Sequence, residues 1–225
     1  MAMSDLYRSP GDLPQVVPVF PLEAALLLPR GDLPLNIFEP RYLAMVDDAL
    51  AGERLIGMVQ PRVGPEGVDT ATTPALAEIG CLGRLTAFQE TGDGRYLITL
   101  TGIARFRILE EIASDAPYRR CRITTAPFRH DFKPRHGEEA VDRAGLISTF
   151  RAYLAANGLE TDWESVNRAS NETLVNALSM LSPYGAREKQ ALLEAADLAT
   201  RAEVLIAVTE MTLAREGGET GPSLQ

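Results

Sequence analysis

The chain has 225 residues, 45% hydrophobic and 24% charged, an ordinary globular balance that suits one large domain or one domain with two lobes. Its net charge of −9 is lopsided: residues 1–136 carry 15 Lys and Arg against 17 Asp and Glu, and residues 137–225 carry 7 against 14. A field of that sign disfavours general polyanion binding, and no apolar run approaches the roughly 20 residues that span a bilayer.

The N-terminus, with Asp5, Pro10 and Asp12, lacks a basic region followed by an apolar core, so no secretory signal is expected. Residues 1–13 read as a flexible arm. From residue 14 to 132 short apolar or alternating runs are broken by Gly and Pro, the pattern of a β-rich lobe. Strands are expected over 16–20, 25–28, 33–38, 55–60, 80–90, 96–100, 104–112 and 118–125. The run from Leu33 to Phe38 reads as a mostly buried strand. It turns into a helix with Pro40 at the first helical position, and Tyr42, Met45, Val46 and Leu50 at helical spacing. Residues 60–74 read as an exposed loop, and Thr91-Gly92-Asp93-Gly94 as a hairpin turn. Cys81 and Cys121 lie in apolar, strand-like surroundings and are expected to be reduced structural thiols.

After Phe132 the period changes to that of helices, giving a helical lobe over 133–217 and a disordered tail over 218–225. A helix over 138–156 stops at Asn157-Gly158. Thr161 opens a short helix by a capping box, and Asn171 caps the next, whose Leu174, Val175, Leu178 and Leu181 form an apolar face. A helix follows over 185–196, and Thr200 opens another. Each helix is short and must bury its stripe on something, so independent folding of the two lobes is doubtful on physical grounds.

The segments Val17-Pro18-Val19-Phe20-Pro21-Leu22 and Leu33 to Leu50 resemble the opening of the Lon protease N-terminal domain. The likeness continues through Leu55–Val59, Glu78–Arg84, Asp93–Tyr96 and Thr101–Arg107, covering residues 14–125. The family comprises the substrate-recognition domain of Lon proteases, stand-alone bacterial relatives and a related domain in cereblon. The resemblance implies an α+β fold: a PUA-like β-pseudobarrel lobe packed with a C-terminal helical bundle. With no Walker loop and no peptidase domain in the sequence, the chain is expected to be a stand-alone bacterial member of that family, in the cytoplasm.

Residues that could carry chemistry are sparse. Neither Lys133 nor Lys189 stands in a Gly-x-x-x-x-Gly-Lys-Ser/Thr loop, and both read as solvated lysines rather than activated bases. His130 and His136 flank Asp131 in a polar linker and lack the further ligands or nucleophile that a metal or triad site needs. Asp47-Asp48 and Glu110-Glu111 are adjacent, so their carboxylates diverge. No catalytic residue, cofactor or metal is expected.

The arginines are the more informative charged set. Arg105 and Arg107 share one strand face and Arg120 and Arg122 another, so neighbouring strands would gather four guanidinium groups into one patch suited to carboxylates. Cross-strand pairing with Glu110 and Glu111 is the competing structural role. Glu39 and Arg41 either brace the strand-to-helix corner or border a peptide groove, with Tyr42 and Arg84 as further candidates. The expected function is a non-catalytic module that binds exposed or unfolded polypeptide segments, as adaptor or holdase, alone or with a separate protease or chaperone. It is expected to be a monomer or weak dimer with no membrane partner. The competing function is RNA binding through the arginine patch, which aromatics at only 6% and the negative charge both weaken.

Overall fold

The computed structural model describes residues 6–64, 67–68 and 73–219. The strands are β1 (Val16–Pro21), β2 (Asp32–Ile37), β3 (Leu55–Val59), β4 (Val63–Gly64), β5 (Gly67–Val68), β6 (Ile79–Glu90), β7 (Tyr96–Ile112) and β8 (Arg119–Thr124). The helices are α1 (Pro40–Ala51), α2 (Arg143–Ala156), α3 (Trp163–Arg168), α4 (Asn171–Leu181), α5 (Ala186–Glu194) and α6 (Leu198–Glu219).

Five strands close on themselves. The sheet runs β2-β7-β6-β3-β1-β8, and β8 returns to pair with the far end of β7. β1 and β3 are parallel and the other pairings antiparallel. Closure removes the open edges of β1, β3, β6, β7 and β8 along their paired lengths. Register shifts at Leu82/Gly83, Leu85/Ala87 and Ile108/Glu110 bend β6 and β7, which lets these two strands extend out of the barrel to carry β2. The result is the α+β, β-rich pseudobarrel architecture.

The two strands expected over 96–100 and 104–112 are one continuous strand of 17 residues. Gly102 is no break: it lets the chain pass close by, since a Cβ there would meet the Leu28 carbonyl oxygen at 2.0 Å. Residues 25–28 form no strand. Leu26, Leu27 and Leu28 are instead buried in a connecting segment, which the Arg30 N–H ties to the Gly102 carbonyl at 2.8 Å. The loop expected over 60–74 contains the β4–β5 pair and begins with buried Gln60 and Pro61.

The run Leu33–Phe38 is an edge strand rather than a buried one. Its burial alternates until Ile37, and Phe38 is 61% exposed. Pro34 fits there because an edge strand loses no ladder bond on its free side. The corner then follows its local signals: Pro40 opens α1, which buries Tyr42, Met45, Val46 and Ala49 along one stripe.

Helix starts shift to whichever side-chain oxygen reaches the free amides. Asp142 accepts from the Gly145 N–H, so α2 begins at Arg143 after a separate 3-10 turn over Glu138–Ala140. Asp162 caps α3 in place of Thr161, Ser170 caps α4 in place of Asn171, and Asp197 accepts from Thr200 at the start of α6. Leu181, expected on the apolar face of α4, is 83% exposed at that helix's end.

Two cores hold the molecule. One fills the barrel around fully buried Phe106 with Val17, Val19, Leu55, Leu82, Cys121 and Ile123. The other joins the barrel's outer wall (Phe20, Ile56, Met58, Cys81) to α1 and to Leu146, Leu174, Val175, Leu192 and Leu205 of the helices. Helices and barrel therefore share this second core. Residues 6–13, expected as part of an arm, lie on the barrel: Leu13 joins its core and the Tyr7 hydroxyl accepts from Arg84 at 2.7 Å. The rest of that arm, residues 1–5, and residues 220–225 of the expected tail lie outside the described residues.

Candidate functional site

The four strand arginines do not form one patch. Arg105 is the correction of most consequence. Phe106 points into the barrel, so Arg105 faces the helices and is buried with 3% of its surface exposed. Its Nε and Nη2 each meet one Asp131 carboxylate oxygen at 2.9 Å, while its Nη1 donates to the Leu193 and Ala195 carbonyls at the end of α5. The Phe128 ring lies 4.7 Å from the guanidinium. With four of its five guanidinium N–H groups bonded within the protein, Arg105 clasps the barrel to the helices.

The others disperse. Arg107 lines an open crevice between barrel and α5, with Arg62, Glu78, Arg187, Gln190 and Glu194. Arg120 lies beside Tyr118 and Asp48 in another crevice, against α1. Arg122 pairs with Glu110 at 2.7 Å, and neighbouring Arg119 pairs with Glu111. Cross-strand pairing thus takes up part of this set, and the single patch that the RNA-binding alternative required is not formed.

At the corner, Arg41 donates to Glu39 at 2.9 Å and its guanidinium lies 4.5 Å from the Tyr42 ring. Tyr42 is buried against Phe20, with ring centroids 4.2 Å apart, and burial raises its hydroxyl above the ordinary tyrosine range. Arg84 is held by the Tyr7 hydroxyl and the Glu53 carbonyl at 3.1 Å.

Lys189 is not solvated. It is buried, and its Nζ donates to the Ser179 and Met180 carbonyls, which satisfies the C-terminal end of α4. Burial lowers its ammonium to about 8. Buried Gln60 is a second seam contact: its Oε1 accepts from the Ala24 N–H at 3.0 Å and its Nε2 donates to Gln190 at 3.0 Å. Sequence separations of 36 and 130 residues hid both contacts. The cysteines are free and buried, as two separate thiols whose burial holds both above the ordinary range. Among the described residues no group of three or more His, Cys, Asp or Glu is placed to hold a metal. No helix among them is long and apolar enough to cross a membrane.

An apolar surface is left where β2 and the outer ends of β6 and β7 leave the barrel. Antiparallel register puts Pro34 opposite Thr99, Asn36 opposite Leu97, Ala87 opposite Thr99 and Gln89 opposite Leu97, so these six side chains share one face. They line a shallow trough of about 480 Å³. Leu97 is 44% exposed there, and Phe88 stands at its margin edge-on to Tyr96. Phe38, at the end of β2, lies exposed with the Arg95 guanidinium 6.0 Å from its ring. No carboxylate lines the trough, and its mix of methyl, aromatic and amide groups suits an apolar side chain flanked by main-chain amides. In the sequence, the outward Leu97 within an alternating strand is the signal of this surface.

Comparison with known proteins accounts for the architecture. The family model described as the ATP-dependent protease La (LON) substrate-binding domain matches residues 16–209. Lon protease 2 of Myxococcus xanthus is 27% identical over 203 residues, which is 87% of this chain and 23% of that protein. The Lon protease of Anaeromyxobacter dehalogenans is 32% identical over 112 residues, 50% of this chain and 13% of that protein. The chain thus spans about a quarter or less of the length of these curated relatives. Among solved structures, the N-terminal domain of Mycobacterium avium complex Lon protease has a similar fold, with a TM-score of 0.63 at 20% identity, covering 87% of this chain and 98% of that one. A Lon N-terminal domain protein from Xanthomonas campestris aligns with a TM-score of 0.56 at 22% identity, covering 85% of this chain and 97% of that one. With nearly its whole barrel and helical part matched in sequence and in fold, the chain belongs to the LON substrate-binding domain family.

Proposed function

We propose that this chain binds exposed, extended segments of unfolded polypeptides without chemically altering them, and either holds them or passes them to a separate protease or chaperone. Membership of a substrate-binding family over residues 16–209 is the observation that carries the reading. The trough over β2, β6 and β7 is the surface that fits it best. An extended chain laid there places one apolar side chain against Leu97 and Ala87 and meets Asn36 and Gln89 with its main-chain amides. Phe38, Phe88 and the corner pair Glu39–Arg41 lie on or near the strands that build it, and Tyr42 supports the corner from inside. The chain works as a monomer or weak dimer in the cytoplasm.

Fluorescence anisotropy with a labelled model polypeptide, kept unfolded by alkylation of its cysteines, tests this reading. Saturable binding is expected, weakened about tenfold or more by Leu97→Asp, while Arg122→Gln on the opposite wall leaves it intact. No saturable binding at all, or equal binding by both variants, would overturn the proposal. Sedimentation over a range of concentrations checks the oligomeric state.

A further inference from the structure

A second crevice, of about 250 Å³, lies where the segment after β8, the start of α4 and the N-terminus of α6 meet. Three acids and four permanent cations border it: Asp131, Glu172 and Asp197 against Arg30, Arg105, Lys133 and Arg201, with His130 and His136 at the side. The acids are already engaged. Asp131 binds Arg105 through both oxygens and also accepts the Arg105 backbone N–H. Glu172 accepts from Arg30 through both oxygens and from the Arg135 N–H. Asp197 accepts from the Thr200 N–H at the head of α6.

The cations are not all engaged. Arg201 is 4% exposed; its Nε donates to the Leu192 carbonyl and its Nη1 to Asn176, but its buried Nη2 has no hydrogen-bond partner among the described residues. No carboxylate hydrogen-bonds to it: burial and then the like charge of Arg105 lower its guanidinium to about 10, against weaker attraction from Asp131 and Glu172, which are bonded to other arginines. A buried guanidinium with an idle donor and no carboxylate bonded to it is unfavourable unless something else supplies a partner. Lys133 is exposed at the rim and forms no ion pair among the described residues, while the His130 and His136 rings stack 4.4 Å apart and nearly parallel. The N-terminus of the 22-residue helix α6, capped on one side by Asp197, borders the same space. These groups come from separate elements and lean one way, in a chain whose overall charge is negative.

We propose that this crevice, floored by Arg201 and the N-terminus of α6 and rimmed by His130, Lys133 and His136, binds a compact oxyanion of the phosphate class. The volume suits a single phosphoryl group with a few waters, or the phosphoryl end of a small metabolite, and is too small for a folded partner or a long polypeptide segment. This site is built from different elements than the polypeptide trough, and either can stand without the other.

Isothermal titration of the intact chain with inorganic phosphate, with ionic strength held constant by chloride, tests the proposal. Sulfate and glycerol phosphate serve as parallel probes. Saturable binding of phosphate or sulfate in the presence of excess chloride is expected. Lys133→Gln is expected to weaken it about tenfold, through loss of one charge-assisted contact, with an unchanged melting temperature in the absence of anion. Arg201→Gln is expected to abolish it; because that variant risks misfolding, the exposed Lys133 variant decides. Tighter binding of glycerol phosphate than of phosphate assigns the site to a phosphorylated metabolite, and the reverse assigns it to the free ion. No saturable binding at tens of millimolar, or equal affinity in Lys133→Gln and the parent, overturns the proposal. So would a crystal structure grown in phosphate with only water beside Nη2 of Arg201.

Discussion

At the seam between barrel and helices, Arg105 meets Asp131 at 2.9 Å with side chains 4% and 8% exposed; on the outer wall, Arg122 meets Glu110 at 2.7 Å with side chains 42% and 57% exposed. Both arginines lie on barrel strands and each faces a carboxylate, so their local chemistry is alike. Their surroundings differ. In the seam, the pair is buried and four of the five guanidinium N–H groups of Arg105 are committed, partly to the carbonyls that end α5. On the wall, water competes with the pair and screens it. An ion pair's distance therefore says little about its contribution until its burial is known, and the buried pair does the structural joining.

Breaking the seam pair should show this most strongly. Asp131→Ala strands the Arg105 charge in the seam and is expected to destabilise the fold by about 3–5 kcal/mol, measured by denaturant unfolding. A loss below about 1 kcal/mol would show that water already reaches this pair.

Lys189, buried between α5 and the end of α4, tests burial within the helical part through pH. Its ammonium sits at about 8 when folded and near 10.5 when free. Between those values the unfolded chain holds a proton that the folded chain has released, so this group adds stability as pH rises, by up to ~1.4 kcal/mol per pH unit. Below pH 8 both states are protonated and the slope vanishes. The thiols of Cys81 and Cys121, raised by burial, act in the opposite direction above their free value of 9. The readout is accordingly the difference between the parent and Lys189→Met: the variant should lack the alkaline gain. Parallel stability curves for the two proteins would show that the Lys189 charge is solvated after all.

The outer wall should respond least. Arg122→Gln and Glu110→Gln, singly or together, are expected to change stability by about 0–1 kcal/mol, with a coupling energy in a double-mutant cycle that fades in high salt. A coupling that resists salt would mean that the wall is covered, for instance by a second copy of the chain.

Sequence signals agree with the structure wherever their cause is local. Pro40 at the first helical turn, the stripe Tyr42–Met45–Val46, the Asp93-Gly94 hairpin turn and the Asn157-Gly158 stop all act within a few residues, and the structure has each in place. Caps were misplaced by one to three residues because neighbouring Ser, Thr, Asp and Asn compete, and only backbone geometry shows which oxygen reaches the amides. Burial departs from the local pattern at Leu33–Phe38, an apolar run left with a partner on one side, and at Lys189, a charged residue covered by another helix's end. The trough was illegible for the same reason, since its face exists only once β2, β6 and β7 are in register.

The residues alone determined the family, the β-rich first part, the helical second part and the strand-to-helix corner between Leu33 and Leu50, because hydrophobic period, Pro and Gly act over short spans. Tertiary structure decided which charges face water. Arg105 finds Asp131 across 26 residues and Ala195 across 90, and Gln60 finds Gln190 across 130. Burial is a property of what folds over a residue, and a strand period shows only that Arg105 and Arg107 share a face; the helices cover the first and leave the second exposed at the crevice.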